Sequence, residues 1–66
     1  MDEREIQSKM VEHRQYDATR GETMYRWDLG IYHVADRYDP DKGEAAAWLN
    51  LARNRAAAAI AMMMEG

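Results

Sequence analysis

Residues 24–38 read MYRWDLGIYHVADRY, and the spacing of their large apolar side chains decides the fold expected of the chain. Met24, Trp27, Ile31, Val34 and Tyr38 follow one another at steps of 3, 4, 3 and 4, the heptad-like rhythm of one helix face. Ile6, Met10 and His13 continue that phase toward the N-terminus, interrupted by Asp17 and Arg20. Gly21 sits in the interruption and costs roughly 1 kcal/mol relative to alanine inside a helix. Thr19-Arg20-Gly21-Glu22 also has the spacing of a capping box, which would end one helix and start another. No proline lies there and the apolar phase survives across it, so a single first helix over about residues 2–37 is expected, with a break at Gly21 as the alternative.

Past this stretch, Tyr38-Asp39-Pro40-Asp41-Lys42-Gly43 is the one segment dense in turn formers. Asp39 before Pro40 has the form of an N-cap and first helical residue, since aspartate accepts from free backbone N–H groups and proline has none to leave unpaired. Asp41 and Glu44 add negative charge where the helix dipole favours it. A turn over about 38–41 and a second helix over about 40–64 follow. Ala45, Trp48, Leu49, Ala52, Ala56, Ala59, Ile60 and Met63 share one face of that helix, with Asn50, Arg53, Asn54 and Ala57 opposite. The face is mostly small, so a neighbour carrying large side chains can approach closely.

The sequence thus predicts an all-α fold, an antiparallel helical hairpin in one domain. At 1.5 Å per residue the second helix spans about 37 Å and the first about 54 Å, so Ile6, Met10 and Val11 overhang. A chain of 66 residues buries only about 60% of its unfolded surface and needs a staple. It has no cysteine, which excludes disulfides and thiolate metal sites and fits a reducing compartment. Pairing with a second copy into a homodimeric four-helix assembly is the remaining staple. The expected core and dimer residues are Ile6, Met10, Met24, Trp27, Ile31, Val34, Trp48, Leu49, Ala52, Ala56, Ile60 and Met63.

Charge narrows the function classes. Twelve acids against nine bases give a net charge of −3 with both signs interspersed, unlike the clustered Lys and Arg of a phosphate-binding surface. The N-terminus Met1-Asp2-Glu3-Arg4-Glu5 has no apolar signal core. The longest apolar run, Ala56 to Met64, has nine residues, against roughly 20 needed to span a bilayer. A cytoplasmic location without membrane contact is expected.

Catalytic and metal sites are poorly supplied. His13 with Asp17 and His33 with Asp36 stand at helical spacing, but two ligands are too few and no Glu-x-x-His pair is present. The one serine, Ser8, lies among charged residues, the Asp39 and Asp41 carboxylates have a capping role, and the four glycines are scattered. No enzyme activity, cofactor, metal or small-molecule substrate is expected. Arg53, Asn54 and Arg55 could reach base edges or phosphates; nucleic acid is the less favoured partner, because the other bases are flanked by acids.

The choice of large residues is more informative. Every aromatic is Tyr or Trp, with no Phe, and six methionines accompany them, three as Met62-Met63-Met64. Tyr, Trp, Met and Arg are enriched at protein–protein interfaces. Tyr25 and Tyr32, seven residues apart, define a strip that with Tyr16, Arg26, Arg37 and Tyr38 makes a candidate partner-binding surface.

A long charged first helix, the Tyr38-Asp39-Pro40-Asp41 turn and an alanine-rich helix ending in Met62-Met63-Met64 resemble the plan of small phage-encoded helical host-takeover proteins. Among these the resemblance is to the quorum-sensing antiactivators, short helical dimers that bind a host transcription activator. It implies a non-enzymatic inhibitor in the host cytoplasm that binds and blocks a LuxR-type regulator or another host protein, and it carries no individual residue role. A small DNA-associated transcriptional regulator and a purely structural or assembly subunit are the alternatives.

Overall fold

Thr23, Tyr25, Trp27 and Leu29 alternate with Glu22, Met24, Arg26 and Asp28, a period of two that sends the sets to opposite sides of an extended strand. The computed structural model, which describes residues 1–66, resolves the competition between this alternation and the heptad rhythm in favour of strands. The order is α1 (Glu3–Lys9), β1 (Val11–Asp17), β2 (Glu22–Leu29), β3 (Tyr32–Tyr38), a 3₁₀ turn at Pro40–Lys42 and α2 (Ala45–Met64). The expected all-α hairpin is therefore wrong, and the four-helix assembly falls with it. The fold is mixed α/β, and the first helix ends at Lys9 instead of running to residue 37.

The physical reason lies in residues common to both patterns. Trp27, Val34 and Tyr38 belong to the heptad-like seam, yet they also share one face of an antiparallel pair, where Trp27 lies opposite Val34 and Thr23 opposite Tyr38. Thr, Tyr, Trp and Val favour strands because their branched or aromatic side chains fit a pleated, half-buried surface. Met24 and Ile31, the other members of the seam, point away from the core and are exposed, Ile31 by 85%.

Two turns fix the register. Asp17 Oδ1 accepts from the backbone N–H groups of Thr19 (3.1 Å) and Arg20 (3.3 Å), the aspartate turn that competes with helix formation. Gly21 follows at φ +67°, so the capping-box spacing serves a β-hairpin loop. Leu29 pairs with Tyr32 across the two-residue turn Gly30-Ile31. Gly30 takes φ +59° while no other residue type has positive φ, as a type II′ turn requires at its first central position. A Cβ at Gly30 would meet no atom within 4 Å, so the effect of substitution there is purely conformational. Gly30→Ala is expected to lower unfolding free energy by about 1–2 kcal/mol. Introduced by chemical synthesis at the same position, D-alanine should restore it, and urea midpoints compare the two.

The strands form a meander in the order β1-β2-β3, antiparallel throughout. α2 lies across one face, chiefly over β3. Asp39 accepts from the Asp41 N–H (2.9 Å) and caps the 3₁₀ turn. The predicted Asp39-Pro40 cap thus belongs to that short turn, and α2 starts five residues later with no side-chain cap. Tyr38 Oη donates to the Gly43 carbonyl and pins the connection.

The core comprises two adjoining clusters. Trp48, Ala52 and Ala56 of α2 meet Tyr25 and Trp27 of β2; Met10, Val34, Tyr38 and Leu49 pack around them. Ile6, Ala57 and Ile60 form the second cluster with Leu29 and Tyr32 at its margin. The small alanines let the helix approach the sheet closely, and the sheet supplies the aromatic volume. Of the expected core residues, Ile6, Trp27, Trp48, Ala52, Ala56 and Ile60 are buried, Met10, Val34 and Leu49 are half-buried, and Met24, Ile31 and Met63 are exposed. Ala57, expected on the outer face, is buried because α1 packs there through Ile6. No helix is long and apolar enough to cross a membrane.

Candidate functional site

The strand register assigns each polar side chain to one of two faces. Toward α2 project Glu12, Arg14 and Tyr16 of β1, Tyr25 and Trp27 of β2, and Tyr32, Val34, Asp36 and Tyr38 of β3. Away from α2, with no element over them, lie Val11, His13, Gln15 and Asp17, then Glu22, Met24, Arg26 and Asp28, then His33, Ala35 and Arg37.

The predicted Tyr/Arg surface is consequently divided. Tyr25 is buried, stacked on Trp27 at 5.7 Å between ring centroids. Tyr38 is half-buried against Trp48 at 5.2 Å, and Tyr32 is half-buried beside Ile6 and Ile60. Tyr16 stays exposed on the helix side of β1, near the hairpin loop. Only Arg26 and Arg37 come together, on the open face. Seven residues between Tyr25 and Tyr32 made a strip on a helix; in strands joined by a tight turn the same spacing puts both in the core.

The open face combines charge with a flat centre. Ala35 lies opposite Arg26, and Met24 opposite Arg37 and Gln15. His13, Gln15, Met24, Arg26 and Ala35 border a shallow depression. Arg26 Nε reaches both oxygens of Asp28 at 3.1 and 3.2 Å, and His13 Nε2 meets Asp28 Oδ2 at 2.8 Å. Arg37 Nη1 lies 3.7 Å from Glu22 Oε1. Each guanidinium is steadied by a carboxylate at one flank, and the terminal nitrogens of Arg26 make no hydrogen bond within the protein.

A second polar group joins sheet to helix. Glu12 Oε1 accepts from Trp27 Nε1 (2.8 Å) and Arg53 Nε (2.6 Å), and Oε2 accepts from Arg53 Nη2 (2.9 Å) and Arg14 Nη2 (3.0 Å). The Arg53 hydrogen bonds, aided by those from Trp27 and Arg14 and opposed by partial burial, hold the Glu12 carboxyl down at about 2. Arg53 is pushed up in return, chiefly by its bonds to Glu12. Arg14 also lies over the Tyr25 ring at 5.1 Å. With Arg53 committed to Glu12, the Arg53-Asn54-Arg55 set proposed for bases or phosphates loses its first member; Asn54 and Arg55 remain exposed. Sequence reasoning missed Glu12. The signal available was a carboxylate on the same parity as Arg14 and Tyr16, cross-strand from Trp27.

His13 and Asp17 share the open face, but the Asp17 carboxylate is occupied by its loop; His33 and Asp36 point to opposite faces. No group of three or more His, Cys, Asp or Glu side chains is placed to hold a metal ion. Met62, Met63 and Met64 are exposed at the end of α2. Comparisons with known families, characterised proteins and solved structures give no match.

Proposed function

We propose that this protein acts by binding another protein through the uncovered face of its sheet, without catalysis, and that it works by occlusion. The observation that carries the reading is the convergence of Arg26, Arg37 and Met24 around Ala35 on one face that no element covers. Arginine and methionine are enriched at interfaces, a small residue at the centre leaves room for an incoming side chain, and carboxylate-steadied guanidiniums lose less freedom on binding. The same carboxylates weigh against phosphate, since Asp28 and Glu22 offset the charge that a nucleic-acid surface needs. A LuxR-type host regulator is one target to offer, on the part of the resemblance that outlasts the loss of the long first helix: the Tyr38-Asp39-Pro40-Asp41 turn and the alanine-rich helix ending in Met62-Met63-Met64.

A photo-crosslinking amino acid at Ala35, compared with one at Asn50 on the outer face of α2, tests the reading. Capture of one defined partner from position 35 and not from 50 is expected. Arg26→Ala and Arg37→Ala should each weaken that complex roughly tenfold, equivalent to about 1.4 kcal/mol. Equal capture from both positions, or full affinity in the double arginine variant, would sink it. Steeply salt-dependent binding of duplex DNA would instead favour the DNA-associated regulator.

A further inference from the structure

β1 is hydrogen-bonded to a strand on one side only, so the backbone donors and acceptors along its other edge are unpaired over Val11–Asp17. Natural edge strands are guarded by charge against indiscriminate pairing, and β1 carries Glu12, His13 and Arg14 in succession. Their order matters more than their number. Two copies of a strand paired antiparallel about a two-fold axis perpendicular to the sheet keep each side chain on its own face, and the axis passes midway between the two copies of one residue. An axis at Glu12 sets Glu12 against Glu12, and an axis at Arg14 sets Arg14 against Arg14, both like-charge pairs that destabilise.

An axis at His13 sets the two imidazoles together, each already on its own Asp28, and brings opposite charges face to face on either side. Glu12 then lies across from Arg14 of the partner subunit, and Arg14 across from Glu12 of the partner subunit. Within each protomer Glu12 already accepts from Arg14 Nη2 at 3.0 Å, from Arg53 and from Trp27, so pairing sets opposite charges face to face across the axis and lets Arg14 of each protomer be exchanged for that of its partner on Glu12. Met10, half-buried beside both core clusters, comes opposite Tyr16 of the partner subunit, and Tyr16 is 65% exposed in the single protomer. α2 lies chiefly over β3 and reaches β1 through Arg53 on Glu12, so a joined sheet carries one copy of α2 on either side of the axis. An axis at Gln15 would draw His13 toward Asp17 of the partner subunit and away from Asp28 Oδ2, which His13 Nε2 already meets at 2.8 Å.

We infer that β1 is a self-recognition edge: two copies join through antiparallel β1 strands centred on His13, giving a continuous six-stranded sheet. This surface is distinct from the sheet face proposed for a protein partner and stands or falls independently of it. Sedimentation across dilution should give about twice the 7.7 kDa protomer mass at high concentration and the protomer mass at low concentration. Arg14→Glu, which sets like charges opposite each other at positions 12 and 14, should stay monomeric at every concentration. The register is tested by cysteine. Directly opposed residues place their Cα atoms about 4.5 or 5.5 Å apart, within disulfide reach. His13→Cys should therefore give a covalent dimer under mild oxidation. Gln15→Cys should not, because two copies of position 15 lie roughly 13 Å apart in this register. A wild-type protein that remains monomeric at millimolar concentration would overturn the inference. So would crosslinking at position 15 instead of 13, and the cysteine pair decides the matter even if Arg14→Glu fails to fold.

Discussion

Replacing Trp27 with alanine is expected to remove about 3–5 kcal/mol of stability, the largest loss from any single truncation in this core. Trp27 is wholly buried, stacked on Tyr25, and bounded on the helix side by Ala52 and Ala56. Those alanines have no side chain to collapse into the space, so the cavity persists, and truncations of this kind cost about 3–5 kcal/mol. The whole protein, at about 0.05–0.15 kcal/mol per residue, has roughly 3–10 kcal/mol in all. Loss of near-ultraviolet dichroism and a urea transition shifted toward zero denaturant would register the effect. Trp27→Phe should cost less, since a ring remains and Glu12 keeps Arg53 as donor. A fall of under about 1 kcal/mol for the alanine variant would mean that this contact is not the centre of the core.

Acidification is expected to loosen the attachment of α2 to β1. Glu12 is lowered from an ordinary 4.5 to about 2 in the folded protein by Arg53. A carboxylate held down in the native state stabilises it above its unfolded value, and that contribution disappears as pH falls through the folded value. The window here is from about pH 4.5 down to about pH 2. The lowering sets an upper limit of about 3 kcal/mol. With the Glu12 side chain 23% exposed and that of Arg53 33% exposed, solvent screening brings the expected loss to about 1–2 kcal/mol. Other acids titrate in the same range, so the measurement is a difference: urea unfolding at pH 5 and pH 2.5 for the wild type and for Glu12→Gln. The variant should start less stable and fall less steeply, because an amide does not titrate. Parallel curves for the two proteins would show that the carboxylate contributes no pH dependence.

The second half of the chain was legible in sequence because alanine, Trp48 and Ile60 repeat at helical spacing without interference, and α2 forms there. The first half was not, because its apolar residues fit two periods at once. Trp27, Val34 and Tyr38 satisfy both a heptad and an alternating strand, so they could not decide between them. The discriminating residues were the less conspicuous ones: Thr23, Tyr25 and Leu29, which complete the alternation, and Gly30, which a helix tolerates poorly but a two-residue hairpin turn requires. Reading aromatics as interface residues also concealed their strand preference, and so consigned Tyr25 to a surface it does not occupy. Arg26 and Arg37 ended on one uncovered face, although a helix at that spacing and a meander bring them together for different reasons. Glu12 and Arg53, 41 residues apart, form a contact that no local pattern encodes.

The position of α2 also imposes an order on how the molecule comes into being. Both hairpins are closed by short turns and pair only neighbouring segments, so the meander can assemble on the microsecond scale typical of such units. Its aromatic side stays bare until the 20 residues of α2 have docked. While α2 is detached, the polypeptide presents Tyr25, Trp27 and the open edge of β1 at once, the combination that invites strand-to-strand aggregation. Charged Glu12, His13 and Arg14 along the edge are therefore as much a safeguard for the unfinished molecule as a feature of the finished one.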